Sequence, residues 1–466
     1  MSRNDLTDRI AVAIGNRPKA ETIRSATTRI DGQRITSEEF PAMDDLRDAT
    51  RHIRMEALKN LPELLDEFAT NLERRGGAVF FASDAQEANA YVTRLAKAEG
   101  VGIVVKGKSM VTEEIDLNEA LESEGIEVVE TDLGEFIIQL DNDTPSHIIA
   151  PIIHKSKEDV GALFASKLGF EYTNVPEELN AAARAHLREK FLSADMGVTG
   201  CNLAIADSGT VCLVENEGNG RLTSSAPRIH VVVMGMERIV ANFEQASTIL
   251  SVLARSATGQ SLGTYVNLVS GVGPETADGP EQLHVIIVDN GRSSILAGET
   301  AEILGCIRCG ACLNTCPVFQ TIGGHGYGAV YSGPIGSVVT PGLYGIDPWG
   351  ELAHASTLCG ACEDVCPVRL EIPRMLQHVR AQTVEAGTAP FWMRKGIAAY
   401  AKAATDQGRW EKAENRARFA SAFLFSEDEW ISSLPGPGRG WTKIRDFPKP
   451  AKQTFRQRWQ ERSDGT

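Results

Sequence analysis

The hydrophobic positions of residues 1–298 follow a helical spacing at first and then form short runs between amphipathic stretches. Leu64, Leu65, Phe68 and Leu72 recur at helical spacing ahead of the Gly76-Gly77 pair, which predicts a helical arm over residues 1–75. The short apolar runs that follow are typical of buried strands. They are Ala78–Ala82, Ile103–Val105, Ile126–Val129, Val231–Met234 and Leu283–Val288.

The stretches between these runs carry helix signals. Capping boxes at Ser83 with Gln86 and at Ser156 with Asp159 begin two predicted helices, and Pro176 stands in the first turn of another. Two more helices are predicted over residues 112–124 and 241–256. Strands that alternate with helices predict a largely parallel sheet covered on both faces, which is an α/β domain.

Two parts of this predicted domain carry residues suited to a small ligand. Residues 104–112 run from a strand into a helix start and include Lys106 and Lys108, which favours an anion, although a solvated loop has the same composition. The second part is a predicted hairpin over residues 202–215 with its flanks 195–200 and 215–221. It contains glycines, hydroxyls and carboxylates, which are as typical of turns as of a ligand pocket. Neither a G-x-G-x-x-G after a strand nor a P-loop occurs, so no nucleotide site is predicted.

Seven of the nine cysteines fall into two short runs. The first has the spacing C-x2-C-x2-C-x3-C-P, which is typical of [4Fe-4S] ligands, and consists of Cys306, Cys309, Cys312 and Cys316. The second repeats the spacing with Ser356 in place of its first cysteine, and consists of Cys359, Cys362 and Cys366. A Gly-rich stretch, residues 323–328, lies between them, and helices could fill this wide gap.

In two-cluster proteins the last cysteine of each run binds the other cluster. This rule assigns the first [4Fe-4S] cluster to Cys306, Cys309, Cys312 and Cys366. It assigns the second to Cys316, Cys359 and Cys362. The second cluster then has one thiolate fewer than the first.

Several groups could take the fourth position of the second cluster. The hydroxyl of Ser356 stands there in the sequence, and water, Glu363 or His354 are further candidates, while loss of that iron would leave a [3Fe-4S] cluster. Zinc is disfavoured, because a tetrahedral zinc site has no use for a third cysteine at this spacing and a fourth before proline. Clusters with a purely structural role remain an alternative. Cys201 and Cys212 have apolar neighbours and are predicted to be ordinary buried thiols.

The charge balance narrows the classes of partner. Lys and Arg total 47 against 62 Asp and Glu, a net charge of −15, which disfavours general affinity for nucleic acid or anionic lipid. The amino terminus has no apolar signal, and no stretch approaches the ~18 apolar residues of a membrane helix. We therefore expect a cytoplasmic protein with no transmembrane segment. From Arg439 onward the chain has eight basic residues and three acidic ones. This basic segment is either a solvated tail or a docking segment for an acidic partner.

Several segments, together and in this order, resemble the lactate utilization protein B family. Besides both cysteine runs, they are Val105–Met110, Glu130–Glu135, Ser146–Pro151, Gly197–Gly200, Glu215–Asn219 and Ser256–Gln260. The resemblance implies a LUD domain of the NagB/RpiA/CoA-transferase-like α/β type, an α-helical ferredoxin module, and a mostly helical carboxy-terminal region with the basic tail. We expect these domains at residues 76–298, 299–380 and 381–466, after the helical arm at 1–75. The fold analogy also hints that Glu215 or Glu217 acts as a nucleophile, although a shared fold does not transfer chemistry.

The resemblance also implies a role. It is that of the iron–sulfur electron-transfer subunit of a complex that oxidises L-lactate to pyruvate, with a cysteine-rich A component, a LUD-only C component and an unidentified electron acceptor as partners. We expect a component of an oxidoreductase complex rather than a stand-alone catalyst, and no catalytic residue is assigned. One alternative is a subunit of a quinone-linked or heterodisulfide-reductase-like oxidoreductase. Others are a LUD metabolite-binding or transferase enzyme with structural or sensory clusters, and a regulatory scaffold.

Overall fold

The computed structural model describes residues 6–273, 278–387, 391–424, 430–443, 445–449, 451 and 453–463. The chain forms two compact units, Met1–Ala386 and Gly387–Thr466. The finer division predicted at residues 75, 298 and 380 stays a prediction. In the described parts of the chain, no helix is both long enough and apolar enough to cross a membrane.

Two sheets form the centre of the first unit. Its described strands are β1 Ala78–Ala82, β2 Ile103–Lys106, β3 Glu127–Glu130, β4 Met196–Thr199, β5 Leu203–Ile205, β6 Thr210–Glu215, β7 Ile229–Gly235, β8 Ile239–Val240, β9 Tyr265–Val269 and β10 Gln282–Val288. Six of them pair in parallel in the order β1-β10-β7-β4-β2-β3, and four form a smaller mixed sheet in the order β8-β5-β6-β9. The mixed α/β fold with a parallel sheet is thus confirmed.

Helices cover this centre and make up the rest of the unit. The described α-helices are α1 Leu6–Gly15, α2 Arg17–Glu38, α3 Met43–Lys59, α4 Leu61–Glu73, α5 Ala85–Ala98, α6 Met110–Glu114, α7 Leu117–Glu122, α8 Leu133–Asp141, α9 Lys157–Leu168, α10 Pro176–Ser193, α11 Asn219–Ser225, α12 Phe243–Thr258, α13 Arg292–Leu296, α14 Ala311–Asn314, α15 Phe319–Tyr327, α16 Gly333–Tyr344, α17 Ile346–Trp349, α18 Ala361–Asp364 and α19 Ile372–Glu385. Short 3-10 helices occupy Ala206–Ser208, Ala301–Gly305 and Gly350–His354.

The large sheet buries both of its faces, as the near-continuous apolar strands require. On β7, Val231 and Val233 pack in one core with Val92 of α5, whereas Val232 packs in another with Phe68 of α4. Side chains that alternate along a strand point to opposite faces, so each strand contributes to two cores. The predicted parallel sheet with both faces covered is confirmed.

Two local predictions are wrong by small margins. The helix predicted over 112–124 is divided into α6 and α7, because Asp116 adopts a left-handed conformation with φ of 53° between them. Asp84, not Ser83, caps α5: its carboxylate accepts a hydrogen bond from the amide of Glu87 at 2.9 Å. The capping box of Ser156 and Asp159 and the hairpin of β5 and β6 are confirmed.

The second unit is mostly helical where it is described. It contains α20 Phe391–Ala404, α21 Gln407–Leu424, α22 Phe455–Ser463, a 3-10 helix at Gly436–Lys443, and a short antiparallel pair of β11 Trp430–Ile431 with β12 Phe447–Pro448. The helical character predicted for this region is confirmed. Part of the basic tail, including Lys452, lies outside the described residues, and its role stays a prediction.

Candidate metal centre

The two cysteine runs adopt the same local backbone. Arg308 and Leu358, each just ahead of a cysteine, both have a left-handed conformation, with φ of 59° and 54°. Gly310 and Gly360, with φ of 77° and 89°, then begin the short helices α14 and α18. The repeat read in the sequence is therefore also a structural repeat.

Four cysteines from the two runs line one cavity. Cys306, Cys309 and Cys312 of the first run meet Cys366 of the second around about 360 Å³ of space between atoms, partly open to solvent. The remaining wall is mainly apolar and includes Ile148 from the α/β domain. Burial raises the pKa of the Cys366 thiol to about 11, and the nearby Cys306 adds to the rise. Buried thiols that repel one another's charge are stabilised as thiolates when they bind a metal.

The other three cysteines form a second group. Burial raises the pKa of Cys362 to about 12, and the neighbouring thiols of Cys316 and Cys359 raise it further. Cys359 is exposed, whereas Cys316 and Cys362 are buried. Hydrogen bonds from the Thr357 side chain and from the backbone lower the pKa of Cys359. The second group is thus closer to the surface than the first.

The two groups lie next to each other. Burial raises the pKa of Cys312 well above its usual value, and the thiols that add to the rise include Cys366 of its own group and Cys362 of the other. Helices α14 and α18 are in contact. The seven predicted cysteines therefore lie in two sets, and in each set the last cysteine of one run lies with cysteines of the other run.

Ser356 occupies the position in the second run that Cys306 occupies in the first. The amide of Arg308 donates a hydrogen bond to the Cys306 sulfur at 3.3 Å, and the amide of Leu358 donates to the Ser356 hydroxyl oxygen at 3.1 Å. The oxygen therefore has the same backbone contact as the sulfur. Of the other candidates, His354 and Glu363 are exposed.

Buried arginines surround the first group. Arg54 donates to the carbonyl of Gly305 at 3.2 Å, and Arg238 donates to the carbonyl of Cys306 at 3.4 Å. Arg308 lines the cavity, and its Nε and Nη1 are buried without a hydrogen-bond partner in the described residues. Such buried donors are rare in native proteins. An anionic iron–sulfur cluster with its four thiolates would accept hydrogen bonds from them, so the residues present fit that group.

Helix α3 holds the backbone of the second run and of the residue just ahead of the first, a feature that sequence reasoning missed. Arg47 donates to the carbonyl of Cys366 at 2.9 Å, and Arg51 donates to the carbonyl of Arg369 at 2.5 Å. Together with Arg54 they occupy one face of α3, since positions three and four apart on a helix are neighbours. The spacing was visible in the sequence, but nothing there indicated which backbone these arginines would contact.

The other candidate residues lie in the α/β domain. Cys212 is fully buried, as predicted, and burial raises its pKa to about 12, whereas Cys201 is only half-buried. The Glu215 carboxylate accepts hydrogen bonds from Gly220 and Arg221 amides at 2.6 and 2.7 Å, and Glu217 accepts one from the amide of Leu133 at 3.1 Å. These hydrogen bonds hold the Glu215 carboxylate at the end of β6, and the nucleophile role of Glu215 or Glu217 stays a prediction.

Known proteins resemble this chain over most of its length. Family models match at residues 65–288 for a LUD domain, 302–370 for a 4Fe-4S dicluster domain and 382–464 for the carboxy-terminal region of lactate utilisation protein B. Lactate utilization protein B of Bacillus subtilis (strain 168) is 46% identical over 96% of this chain and 94% of that protein. The protein of that name from Lysinibacillus sphaericus (strain C3-41) is 45% identical over 100% of this chain and 98% of that protein.

The chain belongs to the lactate utilization protein B family. The resemblance stated from the sequence is confirmed, and this family member is an iron–sulfur protein with a LUD domain. A solved structure of a DUF162 family protein from Deinococcus radiodurans is 18% identical and covers 49% of this chain and 98% of its own, with a TM-score of 0.29. That likeness is too weak to bear on the fold.

We predict that the Arg308 charge raises the reduction potential of a cluster held by the first group. Arg308→Leu should lower that potential on the order of 50–100 mV, the Coulomb energy of one charge at about 10 Å with an effective dielectric constant near 20. Leucine suits the backbone, because Leu358 occupies the equivalent left-handed position. Redox titration followed by EPR measures the shift. Arg456→Leu, which removes an exposed ion pair with Glu411, is the control, and equal potentials in both variants would contradict the prediction.

Proposed function

We propose that this chain is the iron–sulfur electron-transfer subunit of a cytoplasmic complex that oxidises L-lactate to pyruvate. Cys306, Cys309, Cys312 and Cys366 would hold the first [4Fe-4S] cluster. Cys316, Cys359 and Cys362 would hold the second. The observation that carries the proposal is the cavity in which Cys366 joins three cysteines of the other run. When bound, the clusters supply one-electron transfer.

The fourth ligand of the second cluster is, in this proposal, the side-chain oxygen of Ser356. Its support is the backbone contact that it shares with Cys306, from Leu358 and Arg308 amides respectively. On binding iron the hydroxyl would lose its proton to solvent. Water, Glu363, His354 and a three-iron cluster are the competing possibilities.

The names of the relatives supply the substrate. Oxidation of lactate to pyruvate releases two electrons and two protons, and two adjacent one-electron centres can take the pair one electron at a time. The exposed Cys359 suggests that the second group is the one that faces a partner. We propose the A and C components of the lactate utilization system as partners, and the final electron acceptor is unidentified. A quinone-linked or heterodisulfide-reductase-like complex would use the same cysteines with another substrate.

Anaerobic purification followed by iron and sulfide analysis and an EPR-monitored redox titration tests this function. We expect two reducible clusters, and reduction of both by L-lactate once the partner proteins are added, because neither cluster can accept both electrons. Acetate in place of lactate is the control. Bound zinc, or clusters that lactate with partners leaves oxidised, would contradict the proposal.

The ligand role of Ser356 predicts different results for two substitutions. Ser356→Cys should keep all irons and change the EPR signal and potential of the second cluster alone, because sulfur replaces oxygen at one iron. Ser356→Ala should lose one iron and produce a three-iron signal. Mössbauer spectroscopy and iron analysis measure both outcomes. If Ser356→Ala keeps its full iron content and an unchanged spectrum, water or another side chain is the ligand.

A further inference from the structure

Charged side chains gather where three parallel strands of the LUD domain end. Lys106 ends β2 and lies opposite Glu130, which ends β3, in the parallel register, and Thr199 ends the adjacent β4. Lys108 follows in the loop after β2. Ligands of α/β sheets bind at the carboxyl ends of the strands, so this edge is the place to search for a ligand site.

Only one of the two lysines has its charge fully accommodated. The Lys106 ammonium lies 2.8 Å from a Glu130 carboxylate oxygen and donates to the Thr112 hydroxyl at 3.2 Å. The Lys108 ammonium is buried, has no hydrogen-bond partner among the described residues, and lies 3.6 Å from the Oε1 of Glu135. A buried ammonium without hydrogen bonds is costly. Lys108 therefore has one ion pair, with Glu135, but its hydrogen-bond donors have no acceptor among the described residues.

Three carboxyl groups near the two lysines each have one oxygen without a hydrogen bond. The Oε1 atoms of Glu113 and Glu135 and the Oε2 atom of Glu130 are buried and have no hydrogen-bond partner within the described structure. Glu135 is only 4% exposed and Glu130 only 5%. Each unsatisfied buried group costs about 1–3 kcal/mol, so a molecule that hydrogen-bonds to several of these groups would be stabilised here.

Glu113 and Glu135 can be protonated near neutral pH, which lets them act as hydrogen-bond donors as well as acceptors. Burial raises the pKa of Glu135 to about 8, and the adjacent Glu113 adds to the rise. Burial likewise raises the pKa of Glu113 to about 7, against the charges of Lys106 and Lys108. Near neutral pH these carboxyls carry a proton for part of the time, so they can donate to an anion or accept from a hydroxyl.

We infer that Lys108, Glu113 and Glu135 form a binding site for a small 2-hydroxy carboxylate in the LUD domain. The ligand carboxylate would accept hydrogen bonds from Lys108, and its hydroxyl would face the glutamates. A molecule of this class carries its carboxylate and its hydroxyl on adjacent carbons. The site likewise has one cation, Lys108, close to carboxyl groups that can hydrogen-bond to a hydroxyl. That the physiological ligand is lactate rests on the proposed function, whereas the site itself rests on the contacts above.

His147 links the site to the first cysteine run. Burial and then the charge of Lys108 lower the pKa of His147 to about 3, so its imidazole is neutral. The His147 Nδ1 accepts from the amides of Ile149 and Ala150, which leaves Nε2 to donate to the Asn314 Oδ1 at 3.1 Å. A Cβ on Gly310 would lie 3.2 Å from the same ring. His147 thus contacts the loop that carries Cys309 and Cys312, and the charge of Lys108 acts on the same imidazole.

Calorimetric titration of the full chain, purified anaerobically at neutral pH, tests the site. L-lactate should bind one-to-one, and propionate, which lacks the hydroxyl, should bind at least about tenfold more weakly. Lys108→Ala should weaken lactate binding by at least about tenfold, and Lys108→Arg should restore part of it. Lys97→Ala, which removes an exposed ion pair in the same domain, should bind as the wild type does. Iron content and circular dichroism confirm that each variant is folded.

Two results would overturn the inference. The first is that the wild type does not bind lactate, which would mean that the buried groups bind water only. The second is that Lys108→Ala binds lactate as tightly as the wild type does. These results differ from failure of the proposed function. If lactate binding depends on Lys108 but lactate with partners never reduces the clusters, the site stands and the electron-transfer role falls. If lactate reduces the clusters and Lys108→Ala binds it normally, the role stands and the site falls.

Discussion

The first unit depends on one constraint, which is that the last cysteine of each run lies with the cysteines of the other run. Cys366 can line a cavity with Cys306, Cys309 and Cys312 only if α14 and α18 pack side by side. The chain between the runs must therefore leave and return, and α15, α16 and α17 make that path. The arginines of helix α3 then hold the backbone of the second run and of Gly305 just ahead of the first, so this amino-terminal helix is part of the metal centre.

A buried ionic network joins this centre to the LUD domain. Arg292 lies 2.7 Å from both the Glu114 and Glu237 carboxylates, the Tyr331 hydroxyl donates to Glu114 at 2.6 Å, and Arg308 lies 3.7 Å from Glu237. Removing Arg292, which pairs with both carboxylates, would leave buried charge without compensation, at a cost of about 3–5 kcal/mol. The network fixes the position of Arg308, and with it the charge beside the first group of cysteines. The LUD domain and the metal centre are thus electrostatically coupled.

Sequence reasoning was strongest where a local pattern determines the structure. The spacing of the cysteines, the apolar strands and the Ser156 capping box each depend on neighbours within a few residues, and the structure agrees with them. Sequence reasoning was weakest where a residue contacts another that is distant in the sequence. Arg54 gave no sign that it would contact Gly305, and the strand β9 and the break at Asp116 depend on packing that no short window contains. The neutral state of His147 likewise depends on burial beneath the first run.

The exchange of cysteines between the runs is tested most directly by substituting each run's last cysteine in turn and recording the EPR and Mössbauer spectra of the anaerobic protein. Cys316→Ala should abolish or alter the cluster held by Cys359 and Cys362 and leave the four-thiolate cluster intact. Cys366→Ala should do the reverse. If Cys316→Ala instead removes the cluster held by Cys306, Cys309 and Cys312, each run binds its own cluster and the account is contradicted.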